Sequence, residues 1–289
     1  MAIVPDELIG LDFPGVEASY VPRDATLYAL GIGIGLDPLD SMQLAYVRHR
    51  DPLVIPSFAT VLGYDRFWAE HPRTGIDASA ALHVNQGLTI HRPLAATGKI
   101  VRETRVVGVT DRGPGRGAFV RVRESVFDAG DRALIAELTS TVLCRAEGGC
   151  GSAGEAAQRG EALPTREPDV STDIPTSPQQ ALVYQLSGDR NPIHVDPCAA
   201  RRAGFDRPIL HGLSTFGMAC RTLTSLLCAN EPARLKTIEG RFASVVIPGE
   251  TLRLEMWDEG RGDASFRLTL ADRQGVPIDN GRVRWAPSF

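Results

Sequence analysis

The chain has 289 residues, of which 43% are hydrophobic and 23% charged, and its formal net charge is −4. That is enough chain to bury a large core, as one large domain or two smaller ones, with the ordinary composition of a globular protein. The acidic balance argues against a general nucleic-acid binder, so an anionic partner must be held by local basic groups. No N-terminal charged-then-apolar signal and no apolar run long enough to span a bilayer is present, so no membrane partner is expected.

In chain order, Tyr28-Ala-Leu-Gly-Ile-Gly comes first, within a stretch carrying Gly31, Gly33 and Gly35. These glycines do not fit GxGxxG, and Gly35 leads into LDPLD rather than a long helix, so a dinucleotide site is not expected. Ile55 to Tyr64, with Phe58, reads as a short apolar helix. Gly98-Lys-Ile-Val begins a strand, and Ala118 to Phe127 alternates apolar and polar residues, the mark of an antiparallel strand with one buried face. The turns Asp111-Arg-Gly-Pro-Gly and Asp128-Ala-Gly-Asp separate such strands. From 147 to 176 the chain is rich in Gly, Ala, Glu, Pro and Ser and poor in large apolar residues, which predicts a flexible connection. It divides the chain into halves at 1–146 and 177–289.

The second half repeats the first. With Tyr184 laid over Tyr28, an offset of 156, TyrGlnLeuSerGlyAsp falls on TyrAlaLeuGlyIleGly. A helical stretch, Leu213 to Cys228, comes next, then Gly249-Glu-Thr-Leu and the alternating Ser265-Phe-Arg-Leu-Thr-Leu. A helix followed by an antiparallel sheet that wraps it is an α+β layout. The five cysteines, Cys144, Cys150, Cys198, Cys220 and Cys228, are odd in number and lack CxxC spacing. They read as reduced thiols of a cytoplasmic protein. The terminal Pro-Ser-Phe is not a peroxisomal address of the Ser-Lys-Leu type.

Chemistry concentrates between Tyr184 and Gly212. Asp189, Asn191 and His194 lie within six residues, beside Gly188 and Pro192. A carboxylate and an imidazole so close can share proton transfer on one small reactant. The proline keeps Asn191 out of the α region and favours a loop that presents side chains. Leu210-His211-Gly212 opens the next helix, whose N-terminal N–H groups suit a developing negative charge. Asp189, His194 and Asp196 are also conceivable metal ligands, but no further His/Cys/Asp cluster completes a shell, so no metal is expected. Ser187 lacks the Gly-x-Ser-x-Gly setting of a nucleophile. Tyr184 packs or orients the loop, and His211 either enters the helix or contacts substrate. With the offset of 156, Gly33, Gly35 and Pro38 stand where the second half has Asp189, Asn191 and His194, so a single acid/base centre per chain is expected.

Tyr-x-x-Ser-Gly-Asp-x-Asn-Pro-Ile-His with a later Leu-His-Gly resembles the signature of the MaoC-like (R)-specific enoyl-CoA hydratases, or hydratase 2. Leu82-His83 with Gln86, His91-Arg-Pro-Leu, Arg241-Phe242 and Pro248-Gly-Glu-Thr-Leu resemble further landmarks in the family's order. The resemblance implies a duplicated hotdog fold, with a non-catalytic acyl- and CoA-binding half at 1–146 and a catalytic half at 177–289. It implies hydration of a trans-2-enoyl-CoA, with Asp189, Asn191 and His194 handling the water and the Gly212 N–H binding the thioester oxygen. Substrate contacts implied by the resemblance are His83, Val84, Arg112, Pro192, Ile193 and Phe242. Val84 and Asn85 replace the family's Gly and Glu. Arg190, Arg201 and Arg202 are further basic candidates for CoA, which enters as substrate; no cofactor is implied. A hotdog thioesterase and a non-enzymatic acyl-CoA-binding module are the alternatives. A homodimer is expected because hotdog sheets commonly pair edge to edge.

Overall fold

The computed structural model describes residues 3–64, 68–157 and 160–287; residues 158 and 159 of the expected connection, and Ser288 and Phe289 of the terminal tripeptide, lie outside them. The first half contributes β1 (Val16–Tyr20), β2 (Ala81–Ile90), β3 (Gly98–Asp111), β4 (Ala118–Asp128) and β5 (Leu134–Cys144). A two-residue strand, β6 (Ala153–Gly154), pairs with β3. The second half contributes β7 (Val170–Pro175), β8 (Leu235–Phe242), β9 (Thr251–Gly260), β10 (Asp263–Leu270) and β11 (Ile278–Trp285). The order β1-β3-β4-β5-β2 is repeated as β7-β9-β10-β11-β8. The duplication read from sequence is therefore a duplication of topology.

The two expected sheets are joined into one. β2 pairs antiparallel with β8 over Asn85↔Arg241 to Thr89↔Thr237, leaving β1 and β7 at the ends of the strand order. The edge-to-edge pairing that motivated a homodimer is thus satisfied inside one chain. The expected connection also ends earlier than 176. Val170–Pro175 pairs with β9 from Val170↔Met256 to Pro175↔Thr251, and Ile174 is buried. Its Ser, Thr, Asp and Pro resemble linker composition, and only Val170 and Ile174 betray the strand.

Helices α1 (Pro5–Ile9), α2 (Pro22–Gly31), α3 (Ser41–Leu44), α4 (Gln180–Tyr184), α5 (Pro197–Arg202) and α6 (Gly212–Cys228) complete the chain. No helix among the described residues is long and apolar enough to cross a membrane. α6 buries Phe216, Met218, Ala219, Cys220 and Leu223 along most of its circumference, the pattern of a helix wrapped by a sheet. It ends where Ala229 turns left-handed at φ 50°. Its counterpart is much shorter: Pro56–Thr60 is a single 3-10 segment. A proline starts it, and Gly63 at φ 67° ends the next turn. The Arg102 guanidinium donates to the Thr60 and Leu62 carbonyls, both at 3.0 Å, and satisfies the freed acceptors.

One core spans both halves, including Tyr28, Phe58, Tyr184, Phe216 and Phe266. Tyr28 and Tyr184, the pair that defined the offset, are fully buried and meet at 6.0 Å. α6 approaches α2 closely: a Cβ at Gly217 would lie 2.6 Å from Ile32 Cγ2 and 2.9 Å from Tyr28 Oη. Gly217→Ala gains about 1 kcal/mol of helix propensity but overpacks a rigid core at about 1–3 kcal/mol. The variant is expected to melt at a lower temperature than the parent, as thermal unfolding followed by circular dichroism will show; an equal or higher Tm would mean that the two halves yield freely at this contact.

Candidate active site

The loop after α4 is built from side-chain-held turns. A 3-10 turn, Gln185–Ser187, ends at Gly188 with φ 124°. A Cβ at Gly188 would also stand 3.2 Å from the Tyr64 carbonyl oxygen, so both backbone and space call for glycine. The Asn191 N–H donates to Asp189 Oδ1 at 3.1 Å, and the Ile193 N–H donates to Asn191 Oδ1 at 3.3 Å. These Asx contacts fix the loop and start the short turn Pro192–His194. Asn191 therefore orients Asp189 through its backbone N–H, while its exposed side chain holds the next turn.

His194 is 8% exposed, and its Nδ1 lies 2.8 Å from the Ile209 carbonyl oxygen. A carbonyl can only accept, so Nδ1 carries the proton and Nε2 keeps the lone pair. His211, 1% exposed, stacks on His194 with ring centroids 3.7 Å apart and planes 27° apart. Ring nitrogens of both histidines and a carboxylate oxygen of Asp189 lie within 4.8 Å of one another. Burial lowers the pKa of His194, against the opposing pull of the Asp189 charge. Burial, and then the neighbouring His194, push that of His211 down to about 4. Both imidazoles are neutral at neutral pH.

Other elements close around this pair. Tyr184 packs on His211 at 4.9 Å, and Tyr64 is partly buried with its phenol pKa raised by burial and by Asp189. His83 and Phe242 meet edge to face at 5.0 Å at one end of the β2·β8 pairing. Burial lowers the His83 pKa, and the charge of Asp189 reaches it as well. Val84 is the extra residue between His83↔Val142 and Asn85↔Thr141, a bulge that interrupts the ladder beside His83. Gly212 begins α6, and no side chain caps that helix terminus. A Cβ on Gly212 would lie 3.5 Å from Phe242, an ordinary contact, so the protein's own packing does not require glycine there.

Asp189, His194, Gly212, Phe242 and His83 thus come from distant stretches into one region, with Ile193 partly buried on the loop. Arg112 stands apart on the β3–β4 turn: it donates to the Arg116 carbonyl at 2.9 Å and lies over the Phe119 ring. Arg190 and Pro192 are exposed on the loop, and Arg201 and Arg202 on α5. Tyr64 was readable in sequence only as the end of an apolar stretch. His211 stood next to a glycine at a helix entrance, and nothing in its spacing indicated that it stacks on His194.

His211 adds the third polar side chain that the sequence lacked for a metal shell beside Asp189 and His194. The two rings, however, lie nearly parallel, so their in-plane lone pairs do not converge on one ion. A groove of about 1040 Å³ is lined by residues of the β2·β8 pairing, but its Arg241, Arg282 and Arg284 are already paired with acids, and no histidine lines it. The side chains suited to acid/base work are gathered at the loop and the start of α6.

Residues 19–146 match the model of the MFE-2 hydratase 2 N-terminal domain, and residues 160–273 that of the MaoC like domain. The chain is 37% identical to the 3-hydroxyacyl-thioester dehydratase Y of Mycobacterium tuberculosis over 290 residues, covering 99% of each protein. It is 37% identical to the peroxisomal enoyl-CoA hydratase 2 of Arabidopsis thaliana, over 88% of this chain and 87% of that protein. The crystal structure of a MaoC-like dehydratase from Phytophthora capsici superposes with a TM-score of 0.87 at 31% identity, over 98% and 99% of the two chains. A Mycobacterium tuberculosis protein described as a double hotdog shares the fold at 16% identity, with a TM-score of 0.54 over 94% of each chain. Two hotdog units fused through β2 and β8, with the Asp-x-Asn-Pro-Ile-His loop set against the entrance of α6, place the chain in the MaoC-like hydratase 2 family.

Proposed function

We propose that the chain catalyses the reversible hydration of trans-2-enoyl-CoA to (R)-3-hydroxyacyl-CoA by acid/base chemistry on a bound water. The observation that carries this reading is a buried, neutral His194, its Nδ1 held by the Ile209 carbonyl and a ring nitrogen within 4.8 Å of an Asp189 carboxylate oxygen, at the loop that packs against the start of α6. His194 and Asp189 hold the water and remove its proton as oxygen adds to the β-carbon; the α-carbon receives a proton from the same pair. Enolate charge on the thioester oxygen is met by the N–H of Gly212 and by the helix terminus. No cofactor is needed, since water and a conjugated thioester supply every atom of the product. The (R) configuration rests on the family resemblance.

His83, Val84, Ile193, Pro192 and Phe242 are assigned to the acyl thioester, and Arg112 and Arg190 to the CoA phosphates. The acyl tail is assigned to the first half, where the 3-10 turn Pro56–Thr60 replaces a long helix. We place the enzyme in the cytoplasm, on the strength of five unpaired cysteines. A homodimer, expected from the edge-to-edge pairing of hotdog sheets, stays part of the proposal, since β1 and β7 remain at the ends of the strand order.

With crotonyl-CoA, enoyl absorbance is expected to fall without release of free CoA, and the product is expected to resist an (S)-specific 3-hydroxyacyl-CoA dehydrogenase. CoA release would indicate a thioesterase, rapid NADH formation the opposite hand, and no turnover a binding module. Asp189→Ala and His194→Ala should each lower kcat by about 10²-fold while remaining folded, since both residues sit on a loop; near-full activity in either folded variant would refute the assignment. A non-reactive acyl-CoA analogue should bind by calorimetry at one equivalent per chain, because Gly33, Gly35 and Pro38 stand where the second half has Asp189, Asn191 and His194. Two equivalents would mean that the first half keeps a site of its own.

His194 acts in its neutral form, and burial lowers its pKa below the ordinary histidine value. Activity is therefore expected to persist as pH falls through that value and to be lost only below it. A kcat/KM profile already falling on its acid side above pH 7 would contradict a lowered pKa at the base.

A further inference from the structure

His211 has no part in the roles assigned so far, yet at 1% exposed it is more enclosed than His194. Its backbone caps α6, with φ −59° and ψ 134°, but its side chain makes no capping bond. The ring instead turns onto the catalytic loop, where it makes three contacts. It stacks on His194 at 3.7 Å, packs on Tyr184 at 4.9 Å, and its Nε2 lies 3.3 Å from the backbone oxygen of Asp189. Because that oxygen only accepts, Nε2 carries the proton. Nδ1 is then the lone-pair nitrogen, buried and without a hydrogen-bond partner among the described residues. A single ring therefore touches His194, through its face, and the Asp189 backbone, through an N–H.

Behind this ring stands a column that begins in the other half. Phe58 packs on Tyr28 at 5.4 Å, Tyr28 on Tyr184 at 6.0 Å, and Tyr184 on His211. Tyr28 and Tyr184 are fully buried, so the column is backed by the rigid core. The loop carrying Asp189 and His194 has little regular structure of its own. Its register against α6 needs an external fixture, and His211 is placed to provide one.

We propose that His211 is a positioning residue of the hydration site: its ring face sets the plane of His194, and its Nε2–H holds the Asp189 backbone, so that the His194 Nε2 lone pair and the Asp189 carboxylate face one water. This role rests on the hydratase reading of the site. It requires a neutral ring. The charged or titratable groups that face His211 are His194, Asp189 and Tyr184, and Asp189 alone favours the protonated form. Burial and His194 oppose it, so His211 adds no second positive charge when His194 takes up a proton.

Two variants separate the two contacts. His211→Phe keeps a flat ring against His194 and removes the N–H. His211→Gln keeps a donor for the Asp189 oxygen and removes the stack. Each is expected to lower kcat by about tenfold or more with KM changed far less, at temperatures where both variants are folded. In His211→Gln, water reaches His194, and the acid limb of kcat/KM should move up towards the ordinary histidine pKa. Folded variants with kcat and pH profile within about twofold of the parent would overturn the proposal, since a merely structural residue would change Tm alone. Nitrogen-15 NMR of the parent protein keeps the test independent of variants and of turnover. His211 is expected as the neutral Nε2–H tautomer down to pH 5, and His194 as the Nδ1–H tautomer. An Nδ1–H tautomer for His211, or its protonation near pH 6.5, would also overturn it. If the parent itself does not hydrate enoyl-CoA while the tautomers are as expected, the hydratase reading fails and the fixture stands as a geometric fact.

Discussion

The pairing of β2 with β8 is the constraint on which the rest of the molecule depends. It turns two five-stranded units into a single sheet and allows one core to run beneath both. It also decides where a site can form. The last rung, Asn85↔Arg241, places Val84 and His83 beside Phe242, and the bulge at Val84 breaks the β2·β5 register there. Beyond that rung stand the start of α6 and the Asp189 loop. Asp189, His194 and His211 come from the second half, but His83 and Tyr64 of the first half stand close enough to feel the Asp189 charge. Separating the halves would strip the catalytic loop of these walls as well as of the aromatic column behind His211.

The two copies share a strand order but differ in the helix it wraps. The second half keeps a helix of 17 residues, while the first keeps a five-residue 3-10 turn. Shortening a buried helix exposes carbonyls that must find donors, and here Arg102 supplies them. Arg102 is 4% exposed and forms a two-point pair with Glu124, Nε to Oε1 at 3.0 Å and Nη2 to Oε2 at 2.7 Å. A buried ion pair contributes little net stability, because desolvating both charges offsets most of their attraction. Removing one partner is costly all the same. What the pair secures is geometry: the Thr60 and Leu62 carbonyls are held, and with them the approach to Tyr64, over whose ring Arg102 also lies at 5.8 Å.

The strands β4 and β10 were legible because apolar residues recur at alternate positions over much of their length. α6 was legible for the length of its apolar run, and the offset of 156 correctly brought Tyr28 and Tyr184 together. β7 was not legible, since an edge strand needs few apolar residues and Ser, Thr and Asp suit its open side. The turn at Pro56–Thr60 read as a helix because composition reports burial more faithfully than backbone geometry. Within the site, the Asp189–Asn191–His194 string was recoverable because its own local bonds shape the loop. His211 was adjacent in sequence to Gly212, but its stacking on His194 depends on how the loop folds back onto α6, which residue spacing does not encode. Arg112 was legible as a residue of the β3–β4 turn, and its contacts, with the Arg116 carbonyl and the Phe119 ring, belong to its own hairpin.

The site's chemistry and its stability pull on the same groups. Two imidazoles are enclosed against aromatic rings, an environment that penalises their charged forms. Their folded pKa values are therefore below the ordinary histidine value, and for His211 the value falls to about 4. The unfolded chain binds these protons more readily than the folded one as pH drops from the ordinary histidine range towards 4. The stability associated with this pair is complete above that range and is lost on acidification through it. Asp189 softens the loss by favouring protonated imidazole, through its place beside both rings. The neutrality that leaves each ring with a free lone pair is the same neutrality that lets the two rings stack, so acidification acts on both rings together.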